Sequence, residues 1–261
     1  MTEEVILFEA AGPVAYVTLN RPKAMNAINL AMLAALDGFL DEISRREDLR
    51  VVVVSGNGPA FCAGADLKEV LAGATLEAGE ADFLDHASAV FNRLRDFPKP
   101  VIASVNGTTM AGGLELAMCA DIVVAAESAT IGDAHANFGV YPGAGAAAVL
   151  PRLIPLNMAL YLLFSGKSLS AAQMLASGLV SEVHPDERLA SAVKKLAENI
   201  ALKSPIALSR MKAVARASAD KTQADALLHE QVMLRQHLRS ADLQEGLRAF
   251  AEKRTPRFVG R

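Results

Sequence analysis

Four short apolar runs rich in β-branched residues punctuate the first half of the chain: VAYVTL (14–19), VVVVSG (51–56), PVIASV (100–105) and DIVVAA (121–126). Three of them end at Gly, Pro or Asn, and runs of this length and composition read as buried strands. Between them, Leu30 to Arg46 and Asp82 to Leu94 place apolar residues three and four apart, the spacing of one helix face. Strand and helix alternate, so the expected class is α/β. From Ala190 onward the strand signals vanish. The segments 189–204, 205–218 and 221–253 predict three amphipathic helices, the first ending before Pro205. The chain therefore divides into a core over residues 1–200 and a helical region over 201–261. Leu227, Leu228, Val232, Leu234, Leu238 and Leu243 recur in that region at helical spacings, more apolar side chains than a solvated helix needs.

Composition narrows the function classes. With 261 residues, 52% of them hydrophobic, the chain can bury a sizeable core. A formal charge of -3 offers no broad attraction to a phosphate polymer, which argues against nucleic acid as a partner. Cys62 and Cys119 make neither a disulfide framework nor a metal-ligand cluster, and no metal is expected. The opening MTEEVILFEA is acidic where a secretion signal is basic. The longest apolar candidate for a membrane span, residues 144–164, is interrupted by Pro151, Arg152 and Pro155. A cytoplasmic protein is expected.

An internal echo points to where the chemistry lies. VVVVSGNGPAFCAGADLKE and VIASVNGTTMAGGLELAM both read as strand, Gly-containing loop, Ala-Gly and helix, with Gly64 and Gly112 in matching places. Each unit would present a helix N-terminus, where unpaired N–H groups favour negative charge. The second unit also carries Glu115 among Leu114, Leu116, Ala117 and Met118. An ionised carboxylate in apolar surroundings is costly without a partner. Two readings are open: a first-turn acidic residue favoured by the helix dipole, or a group with a chemical task.

NRPKAMNAIN (20–29), FCAGADLKE (61–69), KPVIASVNGTTMAGGLELAMCADIVVA (99–125), GVYPGAG (139–145) and FAEKRTPRFVGR (250–261) occur in one order along nearly the full length. Together they strongly resemble the crotonase (enoyl-CoA hydratase/isomerase) superfamily. The resemblance implies a spiral of repeated ββα units with a C-terminal helical region that makes trimers, often paired into hexamers. It implies an acyl group carried on coenzyme A, which enters as part of the substrate, so no separate cofactor is expected. By motif position the backbone N–H groups of Ala65 and Gly112 would form an oxyanion hole for the thioester oxygen as it becomes an enolate. Gly112 and Gly113 would permit close backbone approach. Glu115 would be one of two catalytic glutamates. Lys23, Ala24, Ala63, Ala65, Asp66, Leu67, Lys68 and Lys253 fall where relatives bind coenzyme A, Lys253 toward a neighbouring subunit's ligand.

The second glutamate is missing from IGDAHANFGVYPGAG. Its place is held by His135, with Asp133 two residues earlier and able to orient the imidazole if the loop is extended. Some C–C bond hydrolases of the superfamily have a histidine here, but also an aspartate inside the PGxG turn, where this chain has Ala144. The leading expectation is reversible hydration of a 2-enoyl-CoA. The alternatives are a β-diketone type C–C hydrolase, a one-base isomerase and a non-catalytic or RNA-binding relative. The last needs a lysine-rich helix, whereas LAMLAALDGFLDEISRR is acidic or neutral until its end.

Overall fold

The computed structural model describes residues 4–73 and 82–261, so the first three residues of the acidic opening lie outside it. A six-stranded sheet holds, in spatial order, β1 (Ile6–Ala11), β2 (Val14–Leu19), β3 (Val51–Gly56), β5 (Val101–Val105), β7 (Ile122–Ala126) and β10 (Glu182–His184). Only the β1–β2 pair is antiparallel. A second sheet holds β4 (Ala60–Cys62), β6 (Thr108–Met110), β8 (Thr130–Gly132) and β9 (Ser168–Ser170), with β9 alone antiparallel to its neighbour.

The chain passes from the large sheet to the small one three times in succession, β3 to β4, β5 to β6 and β7 to β8. It then leaves the small sheet through α2 (Leu67–Gly73) and α3 (Phe83–Arg95), through α4 (Gly112–Ala117), and through a 3₁₀ turn at His135–Phe138. Each passage adds one strand to each sheet, which is the spiral of ββα units that the resemblance implies.

Burial explains the sequence pattern. All five residues of β5 and the first four of β3 are buried, so these strands are apolar on both faces and show no alternation. α1 (Leu30–Arg45) turns Met32, Leu33, Leu36, Leu40 and Ile43 inward, and the Asn29 side chain accepts the Met32 N–H at its start. α3 buries Phe83, Ala87, Val90, Phe91 and Leu94 and opens with a capping box between Asp82 and Asp85. After the connecting helices α5 (Leu150–Leu153), α6 (Leu156–Ser165) and α7 (Ala171–Ser177), α8 (Asp186–Ala201) lays Leu189, Val193, Ala197 and Ala201 over β3, β5 and β7. Each large apolar side chain so buried contributes about 1.5–3 kcal/mol.

The tail differs from expectation in one respect. α9 (Pro205–Ser218) stands as read, but the segment 221–253 forms two helices, α10 (Gln223–His237) and α11 (Ala241–Ala251). The break comes at Ser240, whose hydroxyl accepts the Leu243 N–H and starts α11. α9 is tied to the core where Lys212 and Arg216 both pair with Asp121, at 2.8 and 2.7 Å. Neither α9 nor α10 contains a buried residue. Leu227, Leu228, Val232, Leu234 and Leu238 are exposed, and Leu243 is half-buried.

At the start of α11 the buried Asp242 fastens the C-terminal stretch. Its Oδ1 accepts the Val259 and Gly260 N–H groups at 2.7 and 3.1 Å, and its Oδ2 accepts the Ser204 hydroxyl at 2.6 Å. No helix among the described residues is long and apolar enough to cross a membrane.

Candidate active site

The site begins with an irregularity in the small sheet. Ala60 pairs with Thr108, but Cys62 pairs with Thr109, so Phe61 is an extra residue in β4. Continued past the strand ends, this register sets Gly64 opposite Ala111 and Ala65 opposite Gly112. The Gly64–Gly112 match read from the sequence echo is therefore corrected by one position. Backbone angles agree: the residue just before Ala65 and the residue just before Gly112 both have positive φ, Gly64 at 119° and Ala111 at 49°. Glycine tolerates that conformation, whereas Ala111 is held there against steric cost by its surroundings.

In each unit the residue after the turn carries a free N–H. Neither the Ala65 nor the Gly112 N–H has an acceptor among the described residues. The two loops abut, since a Cβ on Gly112 would lie 3.3 Å from the Ala65 nitrogen. Gly113 is needed for a different reason: a Cβ there would lie 2.0 Å from the Cys62 carbonyl oxygen, so only glycine lets α4 rest on β4. Two unpaired donors from adjacent loops make a place for an oxygen that gains negative charge.

Glu115 sits one turn into α4 and is 3% exposed. Its Oε1 accepts the N–H groups of Ala144 and Ala146 at 2.9 and 3.0 Å. Its Oε2 has no protein partner among the described residues and remains open to solvent. The compensation for burying this carboxylate is thus the turn of GVYPGAG, and half of its accepting capacity is left unused.

Asp133 and His135 come together, though not through an extended loop. Ala134 adopts left-handed angles, and the chain doubles back so that the His135 N–H donates to the Asp133 carbonyl at 2.8 Å. This tight turn brings His135 Nδ1 within 2.8 Å of Asp133 Oδ1. Asp133 is 1% exposed. Burial works against a charged imidazole, but the hydrogen bond to Asp133 and the charges of Asp133 and Glu115 outweigh it and raise the His135 pKa above its ordinary value. The Nδ1 contact leaves Nε2 as the ring nitrogen free to exchange a proton.

The segment NRPKAMNAIN packs beside the first donor loop. The Arg21 guanidinium pairs with Asp66 at 2.9 Å and holds the Asp66 carboxyl below its usual range. Asn26, fully buried, donates to the carbonyls of Asn57 and Ala60 and accepts the Arg21 N–H. Lys23, Ala24, Leu67 and Lys68 are exposed, and Ala63 and Ala65 are partly buried. Neither Lys23 nor Lys68 forms an ion pair among the described residues. Lys253 is exposed on the stretch after α11, and no hydrogen bond links it to the donor loops. Cys62 and Cys119 are buried, which pushes both thiols up to about 12 and leaves them inert.

The model of one protein family, enoyl-CoA hydratase/isomerase, matches residues 9–261. The chain belongs to that family. It is 37% identical over 248 residues to the 2,3-dehydroadipyl-CoA hydratase of Escherichia coli, covering 94% of each chain. It is 34% identical over 250 residues to the short-chain-enoyl-CoA hydratase of Clostridium acetobutylicum, covering 95% of each. The crystal structure of an enoyl-CoA hydratase from Bacillus anthracis superposes with a TM-score of 0.92 at 34% identity, covering 98% of this chain and all of that one. The α/β spiral with its helical C-terminal region is thus the fold of the enoyl-CoA hydratase/isomerase family.

Sequence reading missed the groups that act through the backbone or through packing. Nothing in the letters of Ala144 and Ala146 marks them as donors to Glu115, because every residue except proline offers an N–H. Arg21 and Asn26 had a visible signal, an arginine and a second asparagine inside a turn that carries one proline and three asparagines, but no partner was visible for either.

Proposed function

We propose that this chain, an enzyme of the enoyl-CoA hydratase type, catalyses reversible addition of water to a 2-enoyl-CoA with Glu115 and His135 as its acid–base pair. The observation that carries this reading is Glu115, a buried carboxylate with one oxygen fixed by two N–H groups and the other free. Its Oε2 holds the water and accepts its proton as oxygen adds at the β-carbon. Charge then collects on the thioester oxygen, which the Ala65 and Gly112 N–H groups stabilise; one such donor is worth roughly 100- to 1,000-fold in rate. His135 Nε2 delivers the proton at the α-carbon, and Asp133 fixes the ring and favours its charged form. The full-length similarity to named enoyl-CoA hydratases supports the thioester class.

Coenzyme A would lie along the Arg21–Asp66 side of the site. Lys23 and Lys68 supply exposed cations for its phosphates, while Ala24, Ala63, Ala65 and Leu67 line its path through backbone and apolar contact. Asp66 holds Arg21 and caps the start of α2, where the Lys68 N–H donates to it at 3.3 Å. Lys253 reaches a ligand only across a subunit boundary. The unburied helices α9 and α10, with an apolar groove of about 520 Å³ between them, support assembly into trimers or paired trimers.

The deciding experiment is a spectrophotometric panel of enoyl-, dienoyl- and aryl-CoA thioesters, with acetoacetyl-CoA binding measured in parallel. Hydration of at least one enoyl-CoA and acetoacetyl-CoA binding are expected. Binding without hydration, with double-bond migration instead, would establish a one-base isomerase. Absence of binding at millimolar ligand together with cleavage of a β-diketone would establish the C–C hydrolase. Light scattering that gave a monomer mass at micromolar concentration would reject the trimer.

A further inference from the structure

The turn that holds Glu115 has a second face. Ala144 and Ala146 direct their N–H groups at Oε1, and the Ala144 carbonyl between them points away. Arg95, the last residue of α3, donates to that carbonyl from Nη2 at 3.4 Å. The same nitrogen lies 3.6 Å from Cys119 Sγ, and the Cys119 thiol donates to the Glu115 carbonyl at 3.2 Å. Nη1 donates to Asn92 Oδ1. A chain of contacts therefore runs from Arg95 to both ends of Glu115, its side chain through the turn and its backbone through Cys119.

Arg95 is an unusual arginine. It forms no ion pair among the described residues, and its Nε is fully enclosed without a hydrogen-bond partner, alone in this among their side-chain nitrogens and oxygens. The charged groups around it are otherwise engaged: Asp121 with Lys212 and Arg216, and Asp220 with Arg152. Asp96, adjacent in sequence, lines the same cleft without pairing to it. A half-buried cation with an orphaned nitrogen is costly, and a neutral side chain would fill the space more cheaply. What the guanidinium alone supplies is a rigid donor to the Ala144 carbonyl and a positive charge behind Glu115.

We propose that Arg95 is a positioning residue for Glu115: it clamps the Ala144–Ala146 turn from behind and so aims the free Oε2 at the reacting carbon. The proposal rests on Glu115 as the catalytic base. A misplacement of that base by about 1 Å costs on the order of 100-fold.

The test uses the full chain with Arg95→Ala, Arg95→Lys, Gly145→Ala and the Arg95→Ala/Gly145→Ala pair. Gly145 has φ +134°, and an added Cβ would lie 3.1 Å from Val149 Cγ2 and 3.4 Å from Arg95 Nη2, so this change shifts the same turn from the other side. For Arg95→Ala, kcat on the best enoyl-CoA should fall about 10- to 100-fold. KM and acetoacetyl-CoA affinity should stay within about two-fold, because the Ala65 and Gly112 donors are untouched. Hydrogen exchange at the Ala144 and Ala146 amides should accelerate, and added ethylguanidine should restore part of the lost turnover. Arg95→Lys, which retains charge but lacks the planar fork, should fall between parent and Arg95→Ala. Losses in the double variant should not multiply, since both changes act through one turn. Unchanged kcat and unchanged amide exchange in Arg95→Ala, or losses that multiply, would overturn the proposal. If the parent hydrates no thioester, the hydratase reading fails while the exchange of the two amides still decides for or against the clamp.

Discussion

Glu115 and Asp242 are both buried carboxylates, 3% and 1% exposed, and they are buried in opposite ways. Asp242 uses both oxygens: two N–H groups of the C-terminal stretch fill Oδ1, and the Ser204 hydroxyl and the Gly260 N–H fill Oδ2. Nothing is left for a ligand, and the group joins three pieces of backbone. Glu115 has one oxygen filled by two N–H groups and one oxygen empty. Burial alone does not separate a structural carboxylate from one fit for acid–base chemistry; the count of unfilled lone pairs does. Asp133 stands between them, with Oδ1 on the imidazole and Oδ2 within 3.3 Å of the His135 N–H, so it is structural in its partners and, in the reaction proposed above, acts through one of them.

The sharpest way to break this comparison is Glu115→Gln. The amide oxygen can still accept both N–H groups, so the fold and acetoacetyl-CoA binding should persist. Turnover should fall by roughly 100- to 10,000-fold, the contribution of a positioned base. A variant that lost stability as much as activity would make Glu115 resemble Asp242 after all. His135→Ala should reduce kcat about 100-fold with acetoacetyl-CoA binding retained. An unchanged kcat would leave Glu115 as the only acid–base group and point to a one-base reaction.

Asp242→Ala should show the reverse pattern. It orphans the Val259 and Gly260 N–H groups and the Ser204 hydroxyl, for a loss of about 2–4 kcal/mol in denaturant unfolding. kcat per folded chain should change less than about two-fold. The smallest effect concerns pH. The His135 pKa is raised, so its acid form persists above the ordinary 6.5 and activity that needs an acid should decline only as pH climbs through that raised value. Asp133→Asn removes the hydrogen-bonded charge that raises it, so the alkaline limb of kcat should move to lower pH. A limb that stayed in place would remove Asp133 from the proton transfer.

Four strands of the large sheet were legible because they are largely buried and apolar, and β2 and β3 coincide with VAYVTL and VVVVSG; β1 and β10, whose residues are mostly not buried, left no such run. The four strands of the small sheet span three residues each, too short for any periodicity to register. The division of the tail at Ser240 did carry a signal, a serine N-cap, but the apolar spacing on either side ran through it. Glu115 was visible as an anomaly, and its explanation was not, since its partners are backbone groups of alanines. His135 and Asp133 were found together, yet the left-handed turn at Ala134 that joins them has no glycine to announce it.

The extra residue at Phe61 reaches further than one irregular strand. Because β4 and β6 are neighbours in a parallel ladder, the distance between the Ala65 and Gly112 donors is inherited from the spacing of two strands, about 4.8 Å. No side chain sets this gauge, so it is indifferent to most substitutions around it and sensitive to length. Exchanging Ala63 for another small residue leaves the ladder intact. Deleting one residue between Cys62 and Ala65, with Phe61 kept as the extra residue, sets Gly112 opposite Asp66, against the wrong amide, and turns a matched pair of donors into two unrelated ones. A receptor for developing charge built in this way behaves like a screw thread: its pitch comes from the winding of the chain, and one slipped turn costs the whole fit.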